Sequence, residues 1–168
     1  MVTKIFKVCF LDRDGVINID KGHLKNKKDI FIYPDIYEAI KYLKKNNYLI
    51  VVVTNQSVVG RGIINEKKLD DIHKYINNIL KKRGCWIDTF IYCPHHPKYG
   101  ENKYKIDCNC RKPKPGMIKS FTSKFKINYK KSFMIGDKLS DFIVARKSKI
   151  SFFYRPKNNL INKIKKII

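Results

Sequence analysis

Short apolar runs alternate along this chain with longer stretches in which apolar residues return every third or fourth position. The runs read as strands: KVCFLD from Lys7, YLIVVVTNQ from Tyr48, IDTFIYC from Ile87, KSFMIGD from Lys131 and ISFFYR from Ile150. The second is unbroken and β-branched, as suits a strand buried on both faces. The longer stretches read as helices. DIYEAIKYLKKNN puts Ile36, Ala39, Ile40 and Leu43 on one face. NEKKLDDIHKYINNILKKRG opens on Asn65, suited to cap a helix, and closes on Gly84, suited to end one. Its stripe is Leu69, Ile72, Ile76, Ile79 and Leu80. PGMIKSFTSKFKI starts with Pro115 at its first turn, and LSDFIVARKS is a short helix. The tail NNLINKIKKII predicts a terminal helix that packs its isoleucines on the domain, the favoured reading, or on another subunit. Strands separated by helices predict α/β architecture: a three-layer α/β/α, Rossmann-like parallel sheet. Residues 1–168 are expected to form one domain.

Charge complicates this picture less than its size suggests. Lys and Arg number 37 against 14 Asp and Glu, a net +23. Such an excess raises the prospect of nucleic acid or anionic membrane partners. Lysine supplies 31 of the 37 cations, however, and Ile (25) and Asn (14) are inflated beside it, the joint bias of an A+T-rich coding sequence. Lysine is also the weaker choice for bidentate phosphate or base recognition. The lysines are spread along the whole chain, where a nucleic-acid binder interleaves cations with exposed aromatics on one face. The surplus therefore reads first as a solvated basic surface and second as a field drawing anionic substrates to a cleft. No nucleic acid and no membrane is expected as a partner. MVTKIFKVCF lacks the apolar core of a secretory signal, and no run of ~18 apolar residues is present. The five cysteines are not arranged as a disulfide framework, so a cytoplasmic protein with reduced thiols is expected.

In an open α/β sheet, ligands bind beyond the carboxyl ends of the strands. The first strand is followed by Asp12-Arg13-Asp14-Gly15, with two carboxylates at i and i+2 that can face one crevice. The second ends in Thr54-Asn55-Gln56-Ser57, a cluster of hydroxyl and amide groups. The third runs into CPHHPKYGENKYKIDCNCRKPKP, residues 93–115, which holds three cysteines and two histidines and closes on Arg111-Lys112. By itself this stretch fits a catalytic metal centre, a structural clip or a nucleic-acid finger. The fourth strand ends in Gly136-Asp137-Lys138, with Asp141 one helical turn on. Converging carboxylates repel unless a cation sits among them, and Asp12, Asp14 and Asp137 would suit Mg²⁺ with its preference for oxygen. No GxxxxGK[ST] or GxGxxG loop is present.

FLDRDGVIN, VVVTN, RKPKPGM and MIGDKLSD, in this order and each at a strand end, resemble the four motifs of the haloacid dehalogenase superfamily of phosphotransferases. With YCPHHP, CNCRKPKPGM and the IDKGHL that follows DGVIN, the likeness narrows to its heptose-bisphosphate phosphatases, whose nearest relatives are the histidinol-phosphate phosphatases. Val58-Val59 stand where that family usually has Gly-Ile. The resemblance implies Asp12 as nucleophile, Asp14 as acid and base, and Thr54 and Lys112 as donors to the phosphoryl oxygens. Mg²⁺ would be held by the Asp12 and Asp137 side chains and the Asp14 carbonyl. Arg13, Asp20, Lys21, Gly22, His23, Asn55, Gln56, Ser57, Arg111 and Lys138 would contact a phosphorylated sugar. Zn²⁺ would be held by Cys93, His95, Cys108 and Cys110 in a loop over residues 93–110, with His96 bonding nearby. Four protein ligands leave no open position, so this zinc would be structural. The segments between motifs are too short for a large cap domain, and a monomer is expected.

Overall fold

The structure, a computed structural model, describes residues 4–168; residues 1–3 of the expected domain lie outside the described residues. The strands are β1 (Lys7–Leu11), β2 (Tyr48–Asn55), β3 (Thr89–Cys93), β4 (Phe133–Gly136) and β5 (Ser151–Tyr154). The α-helices are α1 (Asp35–Lys45), α2 (Ser57–Gly60), α3 (Glu66–Lys82), α4 (Gly116–Thr122), α5 (Leu139–Lys147) and α6 (Leu160–Lys165). All strands pair in parallel in the order β3-β2-β1-β4-β5.

Successive residues of a strand face opposite sides of the sheet, and here that period splits the core in two. Cys9, Leu11, Ile50, Val52, Phe133 and Ile135 enter one layer, with Ile36 and Ile40 of α1, Ile72 and Ile76 of α3 and Leu160 and Ile164 of α6. Val8, Phe10, Val51, Val53 and Met134 enter the other, with Met117, Ile118 and Phe121 of α4 and Val144 and Ala145 of α5. This is the expected three-layer α/β/α sheet. Each fully buried aliphatic side chain stabilises it by about 1.5–3 kcal/mol, so Ile50 to Val53, all sealed from solvent, make β2 its main anchor.

The local signals act as their chemistry requires. Asn65 caps α3, its side chain accepting from the Lys68 amide at 2.8 Å. Gly84 follows that helix at φ +74°, a conformation that favours glycine. The tail helix packs against α1, and Arg155 locks the approach to it by donating to Asp35 at 2.6 Å. One helix is shorter than its pattern: α4 stops at Thr122, and the following chain pairs with the residue just before β1, where Phe6 and Ile127 bridge and Asn128 donates to the Phe6 carbonyl at 2.8 Å.

From β1 the chain moves outward to β2 and β3, then returns to the far side of β1 for β4 and β5. The strand order therefore reverses between β1 and β4, which is where an open sheet leaves a crevice at its carboxyl edge.

Candidate active site

At that reversal Leu11 lies opposite Ile135, and the Asp12 amide donates to the Ile135 carbonyl at 3.1 Å. The pairing brings the residues after β1 beside those after β4. Gly15, at φ +83°, lets the chain turn, and the Asp137 carboxylate fills the space that a Cβ there would need.

Lys112 reaches the crevice from the loop before α4 and is only 4% exposed. Its Nζ lies 2.8 Å from Asp12 Oδ1 and 2.7 Å from Asp141 Oδ1. Its backbone is pinned on both sides by the Asn55 amide, which accepts from Lys112 N at 3.0 Å and donates to Lys112 O at 3.1 Å. Asp141 also accepts from the amides of Asp137 and Lys138, so it caps α5 as well as holding the lysine. Burial pushes the Asp12 carboxyl up to about 6, with Asp141 adding to the rise and Lys112 opposing it. Burial works against the charge on Lys112 too, but its two carboxylates outweigh it and hold the ammonium above its ordinary value.

Asp14 sits in a different environment. Its carboxylate accepts from Arg13 Nε (3.1 Å) and Nη2 (2.8 Å), from Asn18 (2.9 Å) and from Gln56 Nε2 (2.9 Å). Burial alone would raise this carboxyl; Arg13, Asn18 and Gln56 overcome it and hold it below the usual carboxylate value. Gln56 Nε2 also donates to Thr54 Oγ1 at 2.9 Å, which ties the hydroxyl at the end of β2 to the same network.

A cleft of about 370 Å³ opens over these groups. Its lining includes Asp12, Asp14, Thr54 and Lys112 together with Asp20, Gly22, His23, Asn55, Gln56, Ser57, Arg111 and Lys138. Two expected substrate contacts stand elsewhere. Arg13 is fully buried and does not line the cleft; its guanidinium is held by Asp14, Gln56 and His73. Lys21 is exposed and folds back over the Phe31 ring, 3.7 Å from its centre. Asn55 and Gln56 line the cleft with their amides already committed to Lys112 and Asp14. Lys138 meets Asp20 at 2.7 Å, which joins the loop after β1 to the turn before α5. Val58, at the departure from the family pattern, also lines the cleft, as does Ser140, which had no chemical signal in the sequence.

Among the described residues, two groups of side chains could hold metal ions. Asp12, Asp137 and Asp141 offer oxygens within 4.8 Å of one another, an all-oxygen set that suits Mg²⁺. Asp141 had no metal role in the sequence reading, although its spacing from Asp137 had marked it. The second group is Cys93, His95, Cys108 and Cys110. Its sulfurs lie 3.0–3.4 Å apart, and His95 Nδ1 is 3.7 Å from Cys93 Sγ and 3.2 Å from Cys110 Sγ. These thiols are free and too far apart for disulfides. Around an ion with Zn–S bonds of about 2.3 Å, tetrahedral edges come to about 3.5–3.8 Å, so the group fits zinc after slight expansion. His96 faces away and accepts from the amides of Lys98 and Tyr99 at 3.1 Å. Arg111, next to the last thiol, donates to the His95 carbonyl at 2.9 Å.

A parallel sheet that presents a buried aspartate paired with lysine, a second aspartate in a hydrogen-bonded cage and an acidic triad at its switch point is suited to phosphoryl transfer. The family model described as polynucleotide kinase 3 phosphatase matches residues 7–159. The chain belongs to this family of haloacid dehalogenase-like phosphatases. Among curated relatives, the D-glycero-beta-D-manno-heptose-1,7-bisphosphate 7-phosphatase of Photorhabdus laumondii subsp. laumondii is 42% identical over 149 residues, 89% of this chain and 79% of its own. The enzyme of the same name from Vibrio cholerae is 40% identical over 136 residues, 81% and 73% of the two chains. A solved D,D-heptose 1,7-bisphosphate phosphatase from B. bronchiseptica, complexed with magnesium and phosphate, superposes with a TM-score of 0.81 at 28% identity, covering 96% of this chain and 87% of that one.

Proposed function

We propose that the chain is a Mg²⁺-dependent phosphatase that converts D-glycero-D-manno-heptose 1,7-bisphosphate to the heptose 1-phosphate through an aspartyl-phosphate on Asp12. The observation that carries this reading is the pairing of buried Asp12 with Lys112 in the lining of the cleft, 2.8 Å apart. The relatives' names support the substrate.

Attack by a carboxylate on a phosphate dianion needs the charge of both to be screened. The Asp12 and Asp137 side chains and the Asp14 carbonyl would hold Mg²⁺, which would supply that screening. Lys112 and Thr54 donate to the phosphoryl oxygens. Asp14 protonates the leaving sugar oxygen and later takes a proton from the attacking water. The incoming phosphate's negative charge raises the Asp14 carboxyl, which favours the protonated form for the first step. Asp20, Gly22, His23, Ser57, Arg111 and Lys138 bind the sugar and its second phosphate, while Asn55 and Gln56 hold Lys112 and Asp14 in place. Zn²⁺ on Cys93, His95, Cys108 and Cys110 is structural. We place the chain in the cytoplasm as a monomer of one domain over residues 1–168, with its zinc loop at 93–110. No helix among the described residues is long and apolar enough to cross a membrane.

The description of the matching family favours a second reading, hydrolysis of a 3′-terminal phosphate on a polynucleotide. Steady-state assays with Mg²⁺ separate the two. Heptose bisphosphate, histidinol phosphate and a 3′-phosphorylated oligonucleotide are compared by kcat/KM. The bisphosphate is expected to lead by about 100-fold or more, a gap of about 2.7 kcal/mol in transition-state binding. Preference for either other substrate overturns the assignment. Full activity in Asp12→Asn would remove the aspartyl-phosphate route.

A further inference from the structure

Arg13 and His73 do not line the cleft, yet together they set the surroundings of Asp14. Arg13 is the largest fully buried side chain among the described residues. Its Nε and Nη2 go to the Asp14 carboxylate, Nη2 also to Gln56 Oε1 at 2.8 Å, and Nη1 meets His73 Nε2 at 3.1 Å. An arginine can only donate, so the histidine nitrogen accepts and the ring carries its proton on Nδ1. His73 lies 60 residues away on α3, within the face that also buries Leu69, Ile72 and Ile76. The ring is stacked on Phe90 of β3, centroids 4.5 Å apart and planes 12° from parallel, and the Tyr92 ring is 5.8 Å away.

The choice of residue matters. An apolar side chain at this position would leave a buried N–H of Arg13 without a partner. A carboxylate would compete with Asp14 for the guanidinium charge. A neutral imidazole satisfies the N–H and leaves that charge directed at Asp14. Burial, with Arg13 next to it, pushes His73 down to about 3, so the ring stays neutral near pH 7.

We propose that His73 is a positioning residue for proton transfer: by holding Arg13, it fixes the Asp14 carboxyl in the orientation from which it protonates the leaving sugar oxygen. This rests on Asp14 being the acid and base of the reaction. In the first step an Asp12 oxygen bonds to phosphorus and the phosphorus–sugar oxygen bond breaks. The electron pair leaves on the sugar oxygen, which takes the Asp14 proton. In the second step water bonds to phosphorus, the bond to Asp12 breaks, and the water proton returns to Asp14.

Because kcat/KM covers only the steps up to the first irreversible one, it reports proton delivery to the leaving group. A sugar alkoxide needs that proton, whereas p-nitrophenolate leaves without it. His73→Phe keeps a ring on Phe90 but removes the acceptor. It is expected to lower kcat/KM on heptose bisphosphate by about 10–100-fold, chiefly in kcat, a fraction of what a general acid typically contributes. On p-nitrophenyl phosphate the change is expected to stay within about threefold. His73→Gln, whose amide oxygen can accept from Arg13, should recover most of the loss. If His73→Phe lowers both substrates equally, the residue only supports the fold and the proposal is overturned. Should that variant fail to fold, His73→Asn, too short to reach Arg13, is read in the same way. Asp14→Asn serves as the reference. If it does not distinguish the two substrates, the acid–base reading of Asp14 fails; if it does and the His73 variant does not, the positioning role alone fails.

Discussion

Lys112 carries an unusual share of the site for a single side chain. Its ammonium lies between two carboxylates that would otherwise repel each other in a nearly sealed pocket. Lys112→Met is therefore expected to lower kcat by about 100–1,000-fold, the usual effect of losing one preorganised donor to a transition state. Lys112→Arg should not restore it, because the bulkier guanidinium has no room between Asp12 and Asp141 and cannot copy a point charge there. Single-turnover rates check this, and a rate within threefold of the unsubstituted enzyme would sink it. At this scale the sequence disclosed residue types well and directions less well. Asp12, Asp14, Thr54 and Lys112 all reach the cleft as expected. Arg13 was expected at the substrate from the family resemblance, and its guanidinium instead turns to Asp14, Gln56 and His73. Lys21 turns onto Phe31, a contact ten positions along that no local pattern announces. His73 left a trace, a titratable residue inside the apolar stripe of a helix, where burial calls for a polar partner.

Among elements, the loop from Cys93 to Cys110 couples folding to chemistry most directly. Cys93 ends β3, Cys110 directly precedes Arg111 and Lys112, and Arg111 is fastened to the His95 carbonyl. An ion bound by these four side chains would fix the backbone from which both cations approach the phosphate. Cys110→Ser is expected to lower zinc content below stoichiometric and to reduce kcat/KM by about tenfold or more, as loss of supporting contacts around a site commonly does. Metal analysis and kinetics on the same preparation decide it, and a zinc-depleted variant with an unchanged rate would refute the coupling. The strands and helices α1, α3, α4, α5 and α6 were legible because their apolar residues recur over several positions. The four residues of α2 are too few to establish a period, and its Val58 and Val59 are buried by the packing of the loop around them. The premature end of α4 was not legible either, since the chain that follows it pairs with Phe6, more than a hundred residues earlier.

Over the whole molecule, the net charge of +23 acts on stability and on substrate capture with opposite sensitivity to salt. Like charges on a folded surface repel, and unfolding moves them apart, so screening should stabilise the fold. The same field draws an anionic bisphosphate toward the cleft, so screening should weaken capture. Raising ionic strength from about 0.01 M to about 0.15 M shrinks the Debye length from about 30 Å to about 8 Å, which spans the range over which dispersed lysines act together. At fixed Mg²⁺, Tm is expected to rise by a few degrees over this range. The value of kcat/KM for the bisphosphate should fall severalfold with kcat unchanged, because chemistry inside the cleft depends on Lys112 and its partners at contact distance. p-Nitrophenyl phosphate, with less charge, should show a shallower slope. A flat kcat/KM for the bisphosphate would mean that the lysines form only a solvated surface. A fall in kcat instead would mean that salt reaches the buried Asp12–Lys112–Asp141 cluster, which its burial argues against.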